Sequence, residues 1–311
     1  MPGEARSEDA RDEARGLALV LVSAGAYGTM PILAKLAYAS GVGTAPLLAA
    51  RFVIAALLFA LLARRPAPPW RERLRLWGLG LVFVGNATAY FKALETVPAA
   101  TVALLIYVYP VIVTLLAALL GLGRLTARDL AAAVLAFAGC ALTAGGSLDA
   151  GPGIFYALLS ALVYATYIVL GSRFAAAVPA EAASLHVAQA CAVVYLPWAV
   201  ATGQGIPATA SAWLPVFALA VVPTVVALRT FLAGLARIGP ARAAVLSSLE
   251  VVVTMALSLL LLGERLGPRQ WAGAALILGA VAFQNLGAVR PFARRRPPAG
   301  GSEGAAGKMG R

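Results

Sequence analysis

The chain has 311 residues, 61% hydrophobic and 12% charged, with a mean hydropathy of +0.86 and a formal net charge of +12. A soluble domain is about 45–50% apolar and about 25% charged, so an ordinary soluble enzyme is excluded. The basic excess sits in tails and short loops between long apolar runs, the pattern that orients membrane proteins, which argues against nucleic acid as a partner.

In chain order, residues 1–16 read as a polar, disordered cytoplasmic tail with acidic residues at Glu4, Glu8, Asp9, Asp12 and Glu13. The first apolar run is too long for a signal-peptide core and reads as an uncleaved span. Ten spans of about 20 residues follow from the apolar runs. They cover 17–39, 44–63, 74–95, 99–120, 127–145, 151–173, 181–202, 212–236, 242–262 and 268–289. Residues 291–311 are rich in Pro, Gly and Arg and read as a disordered basic cytoplasmic tail. Apolar residues run continuously rather than alternating, which excludes a transmembrane barrel of strands. The expected fold class is an all-α polytopic membrane protein.

Placing both termini inside puts nineteen basic residues on the cytoplasmic face: Arg6, Arg11, Arg15, Arg64, Arg65, Arg71, Arg73, Arg75, Arg124, Arg128, Arg173, Arg237, Arg242, Arg290, Arg294, Arg295, Arg296, Lys308 and Arg311. The outer face receives three, Lys92, Arg265 and Arg269, while Lys35, Arg51 and Arg229 lie within spans. That asymmetry predicts cytoplasmic termini in a bacterial plasma membrane. Two isolated cysteines, Cys140 and Cys191, and a single histidine, His186, give no metal-binding cluster, so no metal or other cofactor is expected.

An offset of 141 residues brings 93–129 over 234–270. Leu94/Leu235, Ala100/Ala241, Val111/Val252, Leu116/Leu257, Arg124/Arg265, Leu125/Leu266 and Arg128/Arg269 then coincide. Two halves, 17–149 and 150–290, each hold five spans. An odd number forces opposite insertion, an architecture of secondary transporters with the solute site at the midplane between repeats. Ten helices as two inverted five-helix repeats is the expectation.

Two stretches carry a family resemblance. GTMPILAKLAYASGVGTAPLLAARFVIAALL (28–58) and SSLEVVVTMALSLLLLGERLGPRQWAGAALILGAV (247–281) resemble the first two and last two spans of EamA-type members of the drug/metabolite transporter superfamily. The likeness runs over about 17–289. The chain departs from the family pattern at Gly123, where the second half has Glu264, and at Val251, where Pro is common. The resemblance implies a ten-helix transporter of small metabolites, often an exporter, and leaves the solute open among amino acids, sugars, nucleotide sugars and other metabolites.

Charge within a span marks a functional or paired position. Arg229 and Glu250 flank the turn near Ile238-Gly239, at depths of roughly 14–17 Å in a ~30 Å core. An ion pair across the hairpin is therefore reasonable, either as part of the solute site or as a self-neutralising structural pair. In the first half Thr88 and Tyr109 occupy the equivalent positions. Glu250 is the proton-coupling candidate. Lys35 and Arg51, near outer span ends, read as snorkelling anchors or as an outer vestibule for anionic or zwitterionic solutes. Asn86, Tyr90, Tyr107 and Tyr164 join Arg229 and Glu250 as substrate-binding candidates, with Ser160, Tyr167, Ser247 and Thr254 nearby, while Tyr27, Tyr38 and Tyr195 read as interfacial belt residues. For Asn86 an interhelical hydrogen bond is the competing reading. Pro31, Pro110 and Pro223 interrupt spans and are hinge candidates for alternating access.

These residues suggest a secondary transporter of a small organic metabolite, an amino acid or a related solute, with export as the expected direction. Protons are a further candidate partner. Multidrug or cation efflux is the alternative, with a non-transporting scaffold or an intramembrane enzyme behind it. No nucleotide-binding Gly-x-x-x-x-Gly-Lys-Ser/Thr loop is present to use ATP, and Asp129 and Asp149 lie at span ends, so no catalytic dyad is read. The oligomeric state is left open.

Overall fold

The computed structural model describes residues 2–62, 68–122, 125–145, 151–174 and 178–286. Among them the regular structure is helical: α1 (Pro2–Gly28), α2 (Met30–Ala39), α3 (Thr44–Leu62), α4 (Trp70–Thr96), α5 (Ala99–Ile106), α6 (Tyr109–Leu119), α7 (Ala127–Gly145), α8 (Pro152–Phe174), α9 (Ala180–Thr202), α10 (Ala210–Ala220), a π-helical turn (Val221–Val226), α11 (Ala227–Ile238), α12 (Pro240–Ser247), α13 (Leu249–Leu261) and α14 (Pro268–Leu286). Joined across their breaks, these pieces form ten helical rods. Rod 1 is α1 and α2, rods 2 and 3 are α3 and α4, rod 4 is α5 and α6, and rods 5 to 7 are α7 to α9. Rod 8 runs from α10 to α11, rod 9 is α12 and α13, and rod 10 is α14.

Among the described residues, seven segments are long and apolar enough to cross a membrane: Arg11–Ala39, Thr44–Leu62, Ala99–Leu119, Ala127–Gly145, Pro152–Phe174, Ala180–Thr202 and Ala210–Ile238. Leu249–Leu261 is apolar but shorter. Of the ten spans expected, seven are thus long and apolar enough by this measure and an eighth is apolar but shorter. Asn86, Lys92 and several charges at its ends dilute α4, while Gln270, Gln284 and many small residues dilute α14. Exposed Leu, Val, Phe and Trp side chains such as Leu61, Val134, Phe155, Val200 and Leu260 form the outer surface. With helices of this length, such a surface belongs in lipid rather than water; this is a multi-pass membrane protein.

The first tail differs from the expectation. The segment 1–16 was read as unstructured, yet helix α1 begins at Pro2. Its Ala, Glu and Arg residues are strong helix formers. Asp12 also meets Arg237 at 3.1 Å, and Glu13 pairs with Arg242. The tail 291–311 and the basic positions Arg64, Arg65, Arg124 and Arg290 lie outside the described residues.

Packing uses the small residues. Rods 5 and 10, 2 and 7, 3 and 6, and 1 and 8 share the most extensive contacts. A Cβ on Gly234 would sit 2.5 Å from Val20 Cγ2 and 2.8 Å from the Gly16 carbonyl, so rods 1 and 8 touch backbone to backbone. Gly139 and Gly273 play the same part between rods 5 and 10, where a Cβ on Gly273 would meet Thr143 Oγ1 at 2.2 Å. Close approach of this kind gives apolar helices their dispersion contact where lipid offers no hydrophobic drive.

Several hydrogen bonds between the first and second groups of five rods lie at the end of the bundle where rods 2 and 10 begin. The Gly43 amide donates to the Gly205 carbonyl at 2.8 Å, and the Ala45 amide to Gln204 Oε1 at 2.9 Å. Glu264, following rod 9, accepts from the Ala99 and Ala100 amides at 2.8 and 3.3 Å and from Ser258. It thereby caps α5 across the molecule, a carboxylate on amides that have no intrahelical partner.

Candidate functional site

Four rods lose their regular helix at mid-length. Rod 1 breaks at Thr29, before Pro31; rod 4 at Tyr107-Val108, before Pro110; rod 8 forms the π turn around Pro223; and rod 9 breaks at Ser248. The three proline candidates therefore fall at three of the four irregularities, as expected of a ring without an N–H. Rod 9 breaks without proline, Val251 following Glu250 there.

The freed backbone groups find side-chain partners. Pro223 cannot donate to the Leu219 carbonyl; the Thr224 hydroxyl donates to it instead, at 3.0 Å. Thr254 on rod 9 donates to the Gly28 carbonyl at the end of α1, at 3.0 Å. This contact holds two of the breaks together, and a Cβ on Gly28 would collide with Val253 and the Glu250 carbonyl.

Around these breaks lies a cavity of about 370 Å³. Its wall contains Tyr27, Tyr90, Tyr107, Tyr109, Tyr164 and Tyr167 with Phe52, Phe83 and Phe91; its polar groups include Arg51, Asn86, Ser160, Thr224 and Glu250. The rings form a connected shell: Tyr109 is edge-on to both Tyr107 and Tyr164, with centroids 5.9 and 4.8 Å away, and Tyr164 stacks on Tyr167 at 6.1 Å. Asn86 serves the cavity and an interhelical contact at once, because Ser160 donates to its Oδ1 at 2.8 Å.

Of the candidate binding residues, Asn86, Tyr90, Tyr107, Tyr164 and Glu250 line this cavity, and Arg229 does not. The pair read between Arg229 and Glu250 is corrected: Arg229 Nε lies 3.6 Å from Glu181 Oε1, both side chains being nearly half exposed. Leu228 and Phe231 face the cavity, and the intervening Arg229 is rotated about 100° around the helix from Leu228. Depth along a rod was legible; its rotation was not.

Arg51 is corrected in the opposite direction. It is neither an anchor nor an outer vestibule residue but is 5% exposed and lines the cavity. It sits on the stripe Leu48, Arg51, Phe52, Ala55 and Phe59, which α3 buries throughout. Because α3 is apolar on nearly every side, its sequence pattern did not show that Arg51 faces inward. Lys35 is not among the cavity-lining residues; it is partly exposed near the Glu264 end, where the two charges interact.

The belt tyrosines move inward as well. Tyr27 lines the cavity, Tyr38 donates to the Phe91 carbonyl at 2.9 Å, and Tyr195 is fully buried, donating to the Val84 carbonyl at 2.8 Å. His186 is buried, its Nδ1 2.8 Å from the Ala182 carbonyl. Thr224 and the Phe rings were not singled out from sequence: an isolated Thr or Phe in an apolar run carries no positional signal.

The sequence profile of the EamA-like transporter family matches twice, over residues 14–145 and 151–286. The uncharacterized transporter YcbK of Bacillus subtilis (strain 168) is 30% identical over 281 residues, covering 85% of this chain and 90% of that protein. The aromatic amino acid exporter YddG of Ancylobacter novellus is 30% identical over 187 residues, 56% of this chain and 60% of that protein. The uncharacterized inner membrane transporter YedA of Escherichia coli (strain K12) is 27% identical over 245 residues, covering 76% and 80%. A solved crystal structure superposes with a TM-score of 0.62 at 23% identity, over 88% of this chain and 97% of that one, a likeness of fold.

Proposed function

Because this chain belongs to the EamA-like transporter family, we propose that it is a secondary transporter carrying a small organic metabolite across the bacterial inner membrane by alternating access, and not an enzyme. The solute is an amino acid or a related compound, and export is the direction. The observation that carries this reading is the cavity of about 370 Å³ enclosed where rods 1, 4, 8 and 9 are irregular. Concave aromatic walls with a few placed polar groups suit a small organic ligand. Irregular backbone at membrane depth is tolerated where it lines such a site.

The two five-rod halves, bounded near 149/150, are read as inverted repeats with both termini cytoplasmic. Exchanging the halves supports this, since it maps contacts onto contacts. The packing of rod 3 on 6 becomes that of 8 on 1, rod 4 on 6 becomes 9 on 1, and rod 3 on 7 becomes 8 on 2. The breaks in rods 4 and 9 recur at the 141-residue offset to within one residue, placing Tyr109 and Glu250 at equivalent points on the cavity wall. Pro31, Pro110 and Pro223 then mark the hinges. Glu250 remains the coupling carboxylate, because no cation pairs with it among the described residues. That same lack of a partner favours cation efflux as the second reading.

The test is uptake of labelled amino acids and other metabolites into proteoliposomes, with and without a pH gradient. One solute class accumulates with the gradient, and Glu250→Gln removes the gradient's effect. Absence of flux for every solute, beside an active control transporter, overturns the proposal; flux of organic cations alone selects the efflux reading.

A further inference from the structure

Arg51 and Glu250 line one cavity, and neither has an ion-pair partner among the described residues. Arg51 is buried and Glu250 partly buried, and a charge held away from water is costly unless something compensates it. Arg51 is partly compensated by the protein. Its Nε donates to Thr224 Oγ1 at 3.1 Å, and its guanidinium carbon lies 5.1 and 5.3 Å from the ring centres of Phe52 and Phe91. Cation–π contacts to two rings fix the plane of the fork without consuming its remaining donors.

Those remaining donors belong to the cavity. The two Nη groups have no hydrogen-bond partner among the described residues, yet no buried side-chain nitrogen or oxygen there is left unsatisfied. The Nη groups must therefore be reached from the cavity space. Glu250 lines the same cavity, close enough to act electrostatically on the hydroxyls of Tyr27, Tyr90, Tyr107, Tyr109 and Tyr164. The charge of Arg51 also reaches Tyr27 and Tyr90. The hydroxyls of Tyr27 and Tyr90 thus lie within reach of both charges on one aromatic-walled cavity.

We propose that Arg51 determines specificity by binding the anionic group of the solute, so that a zwitterion lies with its carboxylate at Arg51, its ammonium toward Glu250 and its apolar side chain against the tyrosine rings. This deepens the transporter reading above and rests on it. A planar fork presenting two parallel donors matches a carboxylate, and each charge-assisted bond formed away from water is among the strong ones. A solute bearing both charges compensates both groups at once, whereas a solute with only one leaves its opposite number unpaired.

The experiment uses three probes that differ only in charge: phenylalanine, phenethylamine, which lacks the carboxylate, and 3-phenylpropanoate, which lacks the amine. Proteoliposome flux and ligand-induced thermal stabilisation of purified full-length protein are both measured for wild type, Arg51→Gln, Arg51→Lys and Glu250→Gln. Wild type favours phenylalanine. Arg51→Gln weakens binding of phenylalanine and 3-phenylpropanoate about 10- to 100-fold, the range for a lost charge-assisted bond, and spares phenethylamine. Glu250→Gln does the reverse, sparing 3-phenylpropanoate. Arg51→Lys restores part of the carboxylate preference.

Unchanged carboxylate binding in Arg51→Gln overturns the proposal. So does equal loss of all three probes in both Arg51 variants, the signature of a residue that only holds helices together. Binding that depends on Arg51 without flux in wild type overturns the transporter reading and upholds this one. Flux with a solute preference indifferent to Arg51 does the opposite.

Discussion

Two arginines separated by rod rotation have opposite fates. Arg51 occupies the buried stripe of α3 and enters the cavity, while Arg229 leaves the cavity face of α11 and meets Glu181 near the start of α9. Half-exposed ion pairs contribute about 0–1 kcal/mol. Arg229→Gln is therefore expected to keep initial transport rates within about twofold of wild type and to leave the melting temperature nearly unchanged. A loss comparable to that of Arg51→Gln would show that Arg229 reaches the solute path in another conformation. Glu250 and Tyr109 show how a repeat can specialise at one residue: the same place after a helix break carries an acid in one half and a phenol in the other.

At the scale of elements, glycine sorts by what lies beside it. Gly234 and Gly273 stand where another backbone touches the helix, whereas Gly279 has nothing within 4 Å of its Cβ position. Gly234→Leu and Gly273→Leu are expected to lower the melting temperature sharply or prevent folding, each forcing two rods apart. Gly279→Ala is expected to be neutral or to stabilise slightly, by up to about 1 kcal/mol, since alanine favours helix. Thermal denaturation in detergent checks all three, and equal loss at Gly279 would deny that contact decides. The seam between rods 5 and 10 thus runs through Gly139 and Gly273, not Gly279.

Glu264 joins elements from different halves. Its carboxylate takes the first amides of α5, where a helix presents donors and a partial positive charge. Glu264→Ala should destabilise the protein by about 1–2 kcal/mol, the range for loss of a helix cap, read as a lower melting temperature. A variant as stable as wild type would mean the cap contributes nothing net. The sequence marked Glu264 only as the residue standing opposite Gly123 of the first half; that its partner is α5, some 165 residues away, depends on how the halves meet.

For the whole molecule, the proposed orientation has a direct check. Single cysteines replacing Ser40 and Thr209 should react with a membrane-impermeant maleimide on intact cells. Cysteines replacing Arg73 and Arg173 should react only after permeabilisation. Cys140 and Cys191 are buried and give little background. The reverse pattern would invert the topology and undo the positive-inside argument.

Composition and the spacing of apolar runs determined that this chain is helical and lies in a membrane, because burying backbone polar groups in lipid admits few alternatives. The 141-residue offset and the family resemblance were legible for a related reason: both are one-dimensional patterns. Asn86, Tyr90, Tyr107, Tyr164 and Glu250 could be named from depth and polarity alone, before any wall was visible. What only the tertiary structure decided is which way each rod faces. Helix rotation set Arg51 inward and Arg229 outward, closed the tyrosine shell, drew Tyr27 and Tyr195 from an expected interface into the interior, and turned the first polar residues into a helix pinned by Arg237 and Arg242. Rotation follows from packing against neighbours distant in sequence, and in rods apolar on nearly every side the hydrophobic pattern does not point to the inner face.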